Sequence, residues 1–318
     1  MFMICFLSVT SFWPGWQNSE AEQQEPPVSS PVTIAIIQPR GVDAYREAVE
    51  GFLYSLRNRI HQRFNTVIYE SPEGLYKTLK QNEPSHKSST IQLIVTIGTQ
   101  ATNEVSRTIH DIPIVFSMVL NPERVLSNRT DIVGASLNIP FSLQLEMINK
   151  VLPTVKTVGI IYDPTKHDNV LMAQSPSKKQ YGLRLTTFPV TSPKEIPGAL
   201  SRVNKETDVL LGIVDSTVYT SRTTASIIRY TIKHQLPFVG ISASYVKAGA
   251  LCALLFNSRD IGRQTAQLAE QVLSGIPPTT LQNTIPEKIY LALNLRTARL
   301  IDVTIPKKIQ EKAEILYE

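Results

Sequence analysis

Cysteine is nearly absent: the 318 residues carry two, Cys5 and Cys252. Cys5 lies in an apolar N-terminal run that reads as a removable leader, which leaves Cys252 alone and no internal disulfide possible. A lone Cys inside the apolar string ALCALLF reads as a small core residue rather than a nucleophile. Histidine is sparse and scattered (His61, His86, His110, His167, His234), and no CxxC, HExxH or EF-hand spacing occurs, so neither a metal nor another cofactor is expected. GxGxxG, GxxxxGK(S/T) and GxSxG are missing as well, which removes the usual dinucleotide, phosphate and hydrolase signatures and argues against an enzyme. The 32 basic residues outnumber the 27 acidic ones by five, but they form no run interleaved with aromatics, so nucleic acid is not an expected partner. Charged residues make up 19%, too few for a disordered chain, and apolar residues make up 42%, enough for sizeable cores.

What is present begins with the leader. Met1 to Trp16 is apolar and uncharged, and a polar, Pro-bearing stretch follows. The run is too short to span a bilayer, and the small residues around Ser19 to Ala21 suit a cleavage zone. Residues 1–21 therefore read as a signal peptide and 22–31 as a flexible linker, which implies an extracytoplasmic protein. No Lys or Arg precedes the run, as a signal normally requires. Two readings remain: the natural start lies upstream, or the segment is a frayed N-terminus. FMIC is a poor lipid-attachment motif, because small residues should precede the Cys.

From Pro31 the chain alternates strands and helices, and it does so twice. In the first half the strands are VTIAII (32–37), TVIYE (66–70), QLIVTI (92–97) and IPIVFS (112–117), with helices over 43–62, from Ser71-Pro72 to Gln81, and over 100–109. In the second half the strands are TVGIIY (157–162), LRLTTFPV (183–190), DVLLGIV (208–214) and LPFVGIS (236–242). Helices are expected over 168–181, from Ser192-Pro193 and over 220–234. Continuous apolar strands alternating with helices predict parallel sheets covered on both faces. Two such halves predict an α/β protein of two doubly wound, Rossmann-like lobes.

In open parallel sheets ligands bind beyond the carboxyl ends of the strands, where loops lead into helix N-termini. The residues expected there are Gln38, Arg40, Thr99, Gln100, Ser117, Asn121, Tyr162, Asp215, Ser216 and Ser242. They are mostly small, amide- or hydroxyl-bearing. The set can hydrogen-bond a small polar ligand but lacks the parts of a catalytic machine. Individual residues of these loops have plainer roles open to them: Thr99, Thr217 and Ser242 as helix caps, Asp163-Pro164 as a turn, Arg40 as a solvated cation.

The ordered series VTIAIIQ, IVTIGTQAT, DIPIVFSMVLNP, IVGASLN, LQLEMINKVLPTVKTVGIIYDP, VLLGIVDSTV, LPFVGISASYVKAGAL, IGRQTAQLAEQVLSGIPP and LNLRTARLIDVTIPKKI runs in order from about residue 32 to 315. In that order it resembles the ABC transporter substrate-binding proteins, the family that includes tryptophan/tyrosine-type binding components. The resemblance implies a type I periplasmic-binding fold with a first lobe of residues 32–136 plus 257–285 and a second of 137–256 plus 286–318. Hinge crossings are implied at 132–140, 253–260 and 286–294. It also implies a monomer that captures a small molecule and delivers it to an ABC permease; a sensor partner is the alternative. By position Thr99 and Gln100 match the loop that meets a ligand carboxylate, and Asp215 matches an acid facing the ligand from the second lobe. The chain departs from the family at Asn121, where many relatives carry Asp, near Ser242-Ala243, where an acid is missing, and at Pro39-Arg40-Gly41, which replaces His-Pro. Fewer acids and an added Arg predict a ligand with less cationic or more anionic character than a standard amino acid.

Overall fold

The computed structural model describes residues 31–60, 63–81, 91–127, 129–167 and 181–318. The expected signal peptide, nearly all of the linker and nearly all of the 168–181 helix lie outside the described residues. The first sheet has the order β2-β1-β3-β4-β5, all parallel. Its strands are β1 (Val32–Ile37), β2 (Phe64–Tyr69), β3 (Ile91–Ile97), β4 (Ile114–Val119) and β5 (Ile132–Ser136). Alternate residues of β1 enter cores on opposite faces: Ile34 and Ile36 on one, Ala35 and Ile37 on the other. That double burial is why the strand reads as an unbroken apolar run. Helices α1 (Asp43–Arg57), α2 (Pro72–Gln81), α3 (Thr99–Thr108) and the single turn α4 (Pro122–Val125) link these strands.

The second sheet has the order β12-β11-β10-β9-β8-β6-β7. Its strands are β6 (Thr157–Tyr162), β7 (Arg184–Pro189), β8 (Val209–Leu211), β9 (Phe238–Val239), β10 (Cys252–Phe256), β11 (Ile289–Asn294) and β12 (Ile315–Tyr317). Only the β10–β11 pair is antiparallel. Cys252 is fully buried in this lobe's core, as its apolar context requires. Helices α5 (Phe141–Val151), α6 (Ile196–Glu206), α7 (Ser221–Lys233) and α8 (Ala243–Ala248) belong to this lobe, as do two short C-terminal helices, α10 (Leu295–Leu300) and α11 (Lys307–Gln310).

The chain passes between the sheets three times, and the crossings lie side by side. After β5 it enters α5, whose Leu145, Met147 and Ile148 pack in the second core. After β10 it returns through α9 (Ser258–Leu273), which sends Ile261, Ala266 and Ala269 into the first core. Asn257 caps this helix, its side-chain oxygen accepting from the Asp260 amide at 3.2 Å. The third crossing begins where Thr284 bridges Ala135 and ends in β11. Ser136 donates to the Thr284 carbonyl at 2.8 Å, and the Tyr290 hydroxyl donates to the Phe256 carbonyl at 3.0 Å, tying the three together. Helix α9 lies against α1 with their backbones in near contact. A Cβ on Gly51 would fall 2.1 Å from the Arg259 carbonyl oxygen, and one on Gly262 1.9 Å from that of Ala48.

The strands expected from sequence are found, with shifted ends. β4 runs two residues past the predicted 112–117, because its start is displaced by Pro113 and its end carries a bulge at Met118 (φ 59°). β8 stops at Leu211 and β9 at Val239, short of the predicted ends, so both strands release their last residues toward the space between the lobes. α1 ends at Arg57 rather than continuing to 62.

Candidate functional site

Each sheet reverses its winding direction once, between β1 and β3 in the first and between β6 and β8 in the second. Such reversals open a crevice at the carboxyl ends of the flanking strands. The two crevices face each other across one cavity of about 560 Å³. Tyr45, Thr99, Met118, Leu120 and Asn121 line it from the first lobe. His167, residues 212–214 and residues 239–241 line it from the second. Residues 137–141, Leu254 and Phe256, on the first two crossings, line it between them.

The first-lobe wall is held by backbone geometry. Gly98 adopts φ +86°, and a Cβ there would sit 2.4 Å from the Tyr45 hydroxyl, so the ring can close over this turn only because the residue is glycine. Burial pushes the Tyr45 phenol above its ordinary pKa. Thr99, the first helical residue of α3, accepts a long hydrogen bond from the Leu120 amide at 3.4 Å. Asn121 is left-handed (φ 49°), and its amide donates to the Asn138 side chain on the first crossing at 2.9 Å. At the rim, the Arg124 guanidinium donates to the Thr165 carbonyl at 3.1 Å, one hydrogen bond between the lobes.

The second-lobe wall is held by a buried polar network. Asp215 Oδ1 accepts from the Thr217 and Val218 amides at 2.7 and 3.0 Å, and Oδ2 from the Asp163 amide at 2.7 Å. His167 Nε2 stands 3.3 Å from the same Oδ2. Burial alone would raise the Asp215 pKa, but the hydrogen bonds from His167 and the three amides outweigh it and hold the group at about 2. Asp163 is a second hub: Oδ1 accepts from the Thr165 amide and hydroxyl at 3.0 and 2.7 Å, Oδ2 from the Thr217 hydroxyl at 2.6 Å. These bonds, led by that from Thr217, hold Asp163 below the usual carboxylate range. Both acids therefore fix the loops after β6 and β8 to each other.

Of the ten residues expected at the site, Thr99 and Asn121 line the cavity. The others lie elsewhere. Ser117 sits inside the extended β4, fully buried, its hydroxyl accepting from Thr265 of α9 at 2.8 Å. Tyr162 closes β6 with its side chain in the second core. Asp215 acts one layer behind the wall, through His167. Ser216 accepts from the Lys166 ammonium at 2.8 Å, and Ser242 pairs with Ser244 at 2.8 Å at the start of α8 without capping it. Gln100 points along α3 to Glu104 at 3.1 Å. The Gln38 amide donates to the Tyr69 carbonyl at 2.8 Å, and Arg40 is exposed and ion-paired with Glu70. Sequence reasoning missed Tyr45, Phe141, Gln144 and His167. For His167 a signal existed: it lies four residues beyond Asp163, in a loop already marked as following a strand.

Among the described lining residues there is no Asp, Glu, Lys or Arg, and apolar side chains predominate. Among the described residues there is also no His/Cys/Asp/Glu group suited to a metal ion, and no helix is long and apolar enough to cross a membrane.

Comparison with known proteins agrees with this architecture. The chain is 21% identical over 272 residues to the tyrosine-binding protein of Clostridioides difficile (strain R20291), covering 81% of this chain and 77% of that one. The ligand-free, open structure of a Clostridium difficile substrate-binding protein with adhesive properties superposes with a TM-score of 0.68 at 18% identity, covering 90% and 99% of the two chains. The ABC domain in complex with L-Trp from Streptococcus pneumonia gives 0.62 at 20% identity, covering 90% and 100%. The fold is thus the two-lobed type I periplasmic-binding architecture. The family described as ABC transporter substrate binding protein matches residues 33–316, and the chain belongs to that family.

Proposed function

We propose that this protein is the solute-capturing component of an ABC-type importer, acting outside the cytoplasm. It takes one small organic molecule into the cavity between the lobes and hands it to a membrane permease. The observation that carries this reading is a single cavity walled by both lobes and by the crossings that join them. Its volume falls in the range usual for small-molecule sites, roughly 300–1,000 Å³. A ligand touching both walls stabilises the closed arrangement only, which is what lets binding drive closure about the crossings. The lobes of this reading are residues 32–136 with 257–285, and 137–256 with 286–318. No bond is made or broken in this cycle.

The relatives that bind tyrosine and L-Trp support a ligand of amino-acid size. Thermal-shift screening of amino acids, organic acids and sugars, followed by calorimetry, tests the reading: a ligand should raise the apparent Tm, because it binds the folded state alone. Small-angle scattering should show a smaller radius of gyration with that ligand. A chemically altered product in place of an intact ligand in native mass spectrometry would overturn it.

A further inference from the structure

We infer that His167 determines specificity as an acceptor: its Nδ1 takes a hydrogen bond from an N–H or O–H group of the ligand. The captured molecule therefore carries such a donor where it meets the second lobe, on an otherwise apolar body. This rests on the solute-binding reading above and narrows it to a chemical class.

Asp215 sets the tautomer of the ring. Three of its neighbours are the backbone amides of Asp163, Thr217 and Val218, and an amide N–H can only donate. The carboxylate, with its pKa held at about 2, stays ionised and accepts at every one of these contacts. His167 Nε2, 3.3 Å from Oδ2, therefore carries its proton toward the carboxylate. A neutral imidazole has one N–H and one bare nitrogen, so Nδ1 keeps its lone pair and can only accept.

Nδ1 is unpaired and within reach of the cavity. Among the described residues none donates to it. The described side-chain polar atoms that are sealed from solvent without a partner are Thr33 Oγ1, the Tyr219 hydroxyl, Asp260 Oδ2, Gln264 Oε1 and Thr284 Oγ1, and Nδ1 is not one of them. His167 lines the cavity, so a ligand there can reach this nitrogen. The nearby cations are engaged elsewhere. The Lys166 ammonium donates to the Ser216 and Thr217 hydroxyls at 2.8 and 2.6 Å, and the Arg124 guanidinium to the Thr165 carbonyl.

A ligand that fills the cavity removes water from Nδ1. A ligand without a donor leaves a buried acceptor unpaired, whereas one with a donor restores the bond, and a site of this kind discriminates against the donorless analogue. Met118, Phe141, Ile213, Leu254 and Phe256 line the same space, so the rest of the ligand meets apolar surface.

Calorimetry on the whole protein at pH 8, where imidazoles are neutral, tests the inference with probes that differ by one donor. L-tyrosine is compared with L-phenylalanine, which lacks the phenol O–H, and with 3-(4-hydroxyphenyl)propionate, which lacks the ammonium. L-tryptophan is compared with 3-(3-benzothienyl)-L-alanine, which lacks the indole N–H, and with indole-3-propionate, which lacks the ammonium. In at least one comparison, loss of the donor should weaken binding about fivefold or more. His167→Phe keeps an aromatic ring and removes the acceptor, so in that variant the same deletion should cost under about twofold. His167→Gln, whose amide can donate to Asp215 and accept from the ligand, should recover part of the difference. A purely structural His167 would weaken a probe and its donorless partner alike and leave their ratio unchanged. Nitrogen-15 NMR of the imidazole, assigned by its loss in H167Q, stands even if H167F folds poorly. The wild-type ring should carry its proton on Nε2, and its Nδ1 signal should shift when the tightest probe binds. A ring protonated on Nδ1, a deletion that costs as much in H167F as in the wild type, no cost for any deletion, or failure of all six probes to bind overturns the inference. So does a molecule without an N–H or O–H donor captured tightly from the wider screen, which would leave the solute-binding reading intact; no captured molecule at all would end both.

Discussion

In the first lobe the cavity wall is shaped by main-chain conformation: Gly98 at φ +86°, Met118 at 59° and Asn121 at 49° turn their loops inward. The second lobe uses ordinary main chain at the matching places and binds its loops together with two buried carboxylates, Asp163 and Asp215. The first device sets shape and carries no charge. The second sets shape and also holds an imidazole, that of His167, against a carboxylate at the cavity wall. Two lobes of one architecture thus divide the work: one provides fit, the other electrostatics.

If that division holds, the largest effect belongs to Asp215→Ala. It strips acceptors from three backbone amides and from His167 in one step. Unsatisfied buried donors cost about 1–3 kcal/mol each, and losing a buried charge partner about 3–5 kcal/mol in all. Urea denaturation should register a loss near the upper figure. A loss under about 1 kcal/mol would mean the second-lobe loops are held by something else.

Acid provides a gentler form of the same perturbation. The Asp215 pKa falls from 3.8 in the unfolded chain to about 2 when folded, so the unfolded state takes up the proton first. The stability this contributes is complete above about pH 4 and is lost as pH falls through 2. It amounts to about 2 kcal/mol, at 1.36 kcal/mol per pH unit. Asp163 is displaced in the same direction and adds to the loss. The stability gap between wild type and Asp215→Asn should therefore narrow between pH 5 and pH 2.5.

For the first lobe the counterpart is Gly98→Ala. The left-handed φ and the approach of the Tyr45 ring are both strained by a methyl group, at a cost of about 1–2 kcal/mol. Because Tyr45 lines the cavity, affinity should fall along with stability. Calorimetry beside urea denaturation separates the two effects.

The sequence revealed the sheets more readily than the site, and the reasons are physical. Ile34 to Ile37 are buried on both faces, so hydrophobicity alone marks β1. The winding reversals follow from strand order, and they put the loops after β1, β3, β6 and β8 in roughly the right place. Which side chain within a loop faces the cavity depends on one-residue details. A bulge at Met118 carried Ser117 into the sheet, and Asp215 turned inward to hold amides while His167, from a different loop, took the place at the cavity wall. Residues 137–141 and Gln144 line the cavity because the crossings pass through it, which no local pattern records.

The smallest expected effect is at Arg40, and it bears directly on where charge recognition resides. The sequence made this Arg the natural source of anion preference. Its side chain is 81% exposed and paired with Glu70. Exposed pairs of this kind contribute about 0–1 kcal/mol, and less in salt. Arg40→Ala should therefore change stability by under about 0.5 kcal/mol and leave the affinity for the captured ligand within twofold. A larger fall in affinity would mean that closure brings the β1 loop over the ligand, which would give the first lobe an electrostatic role that its cavity wall, built from main chain and neutral side chains, does not otherwise have.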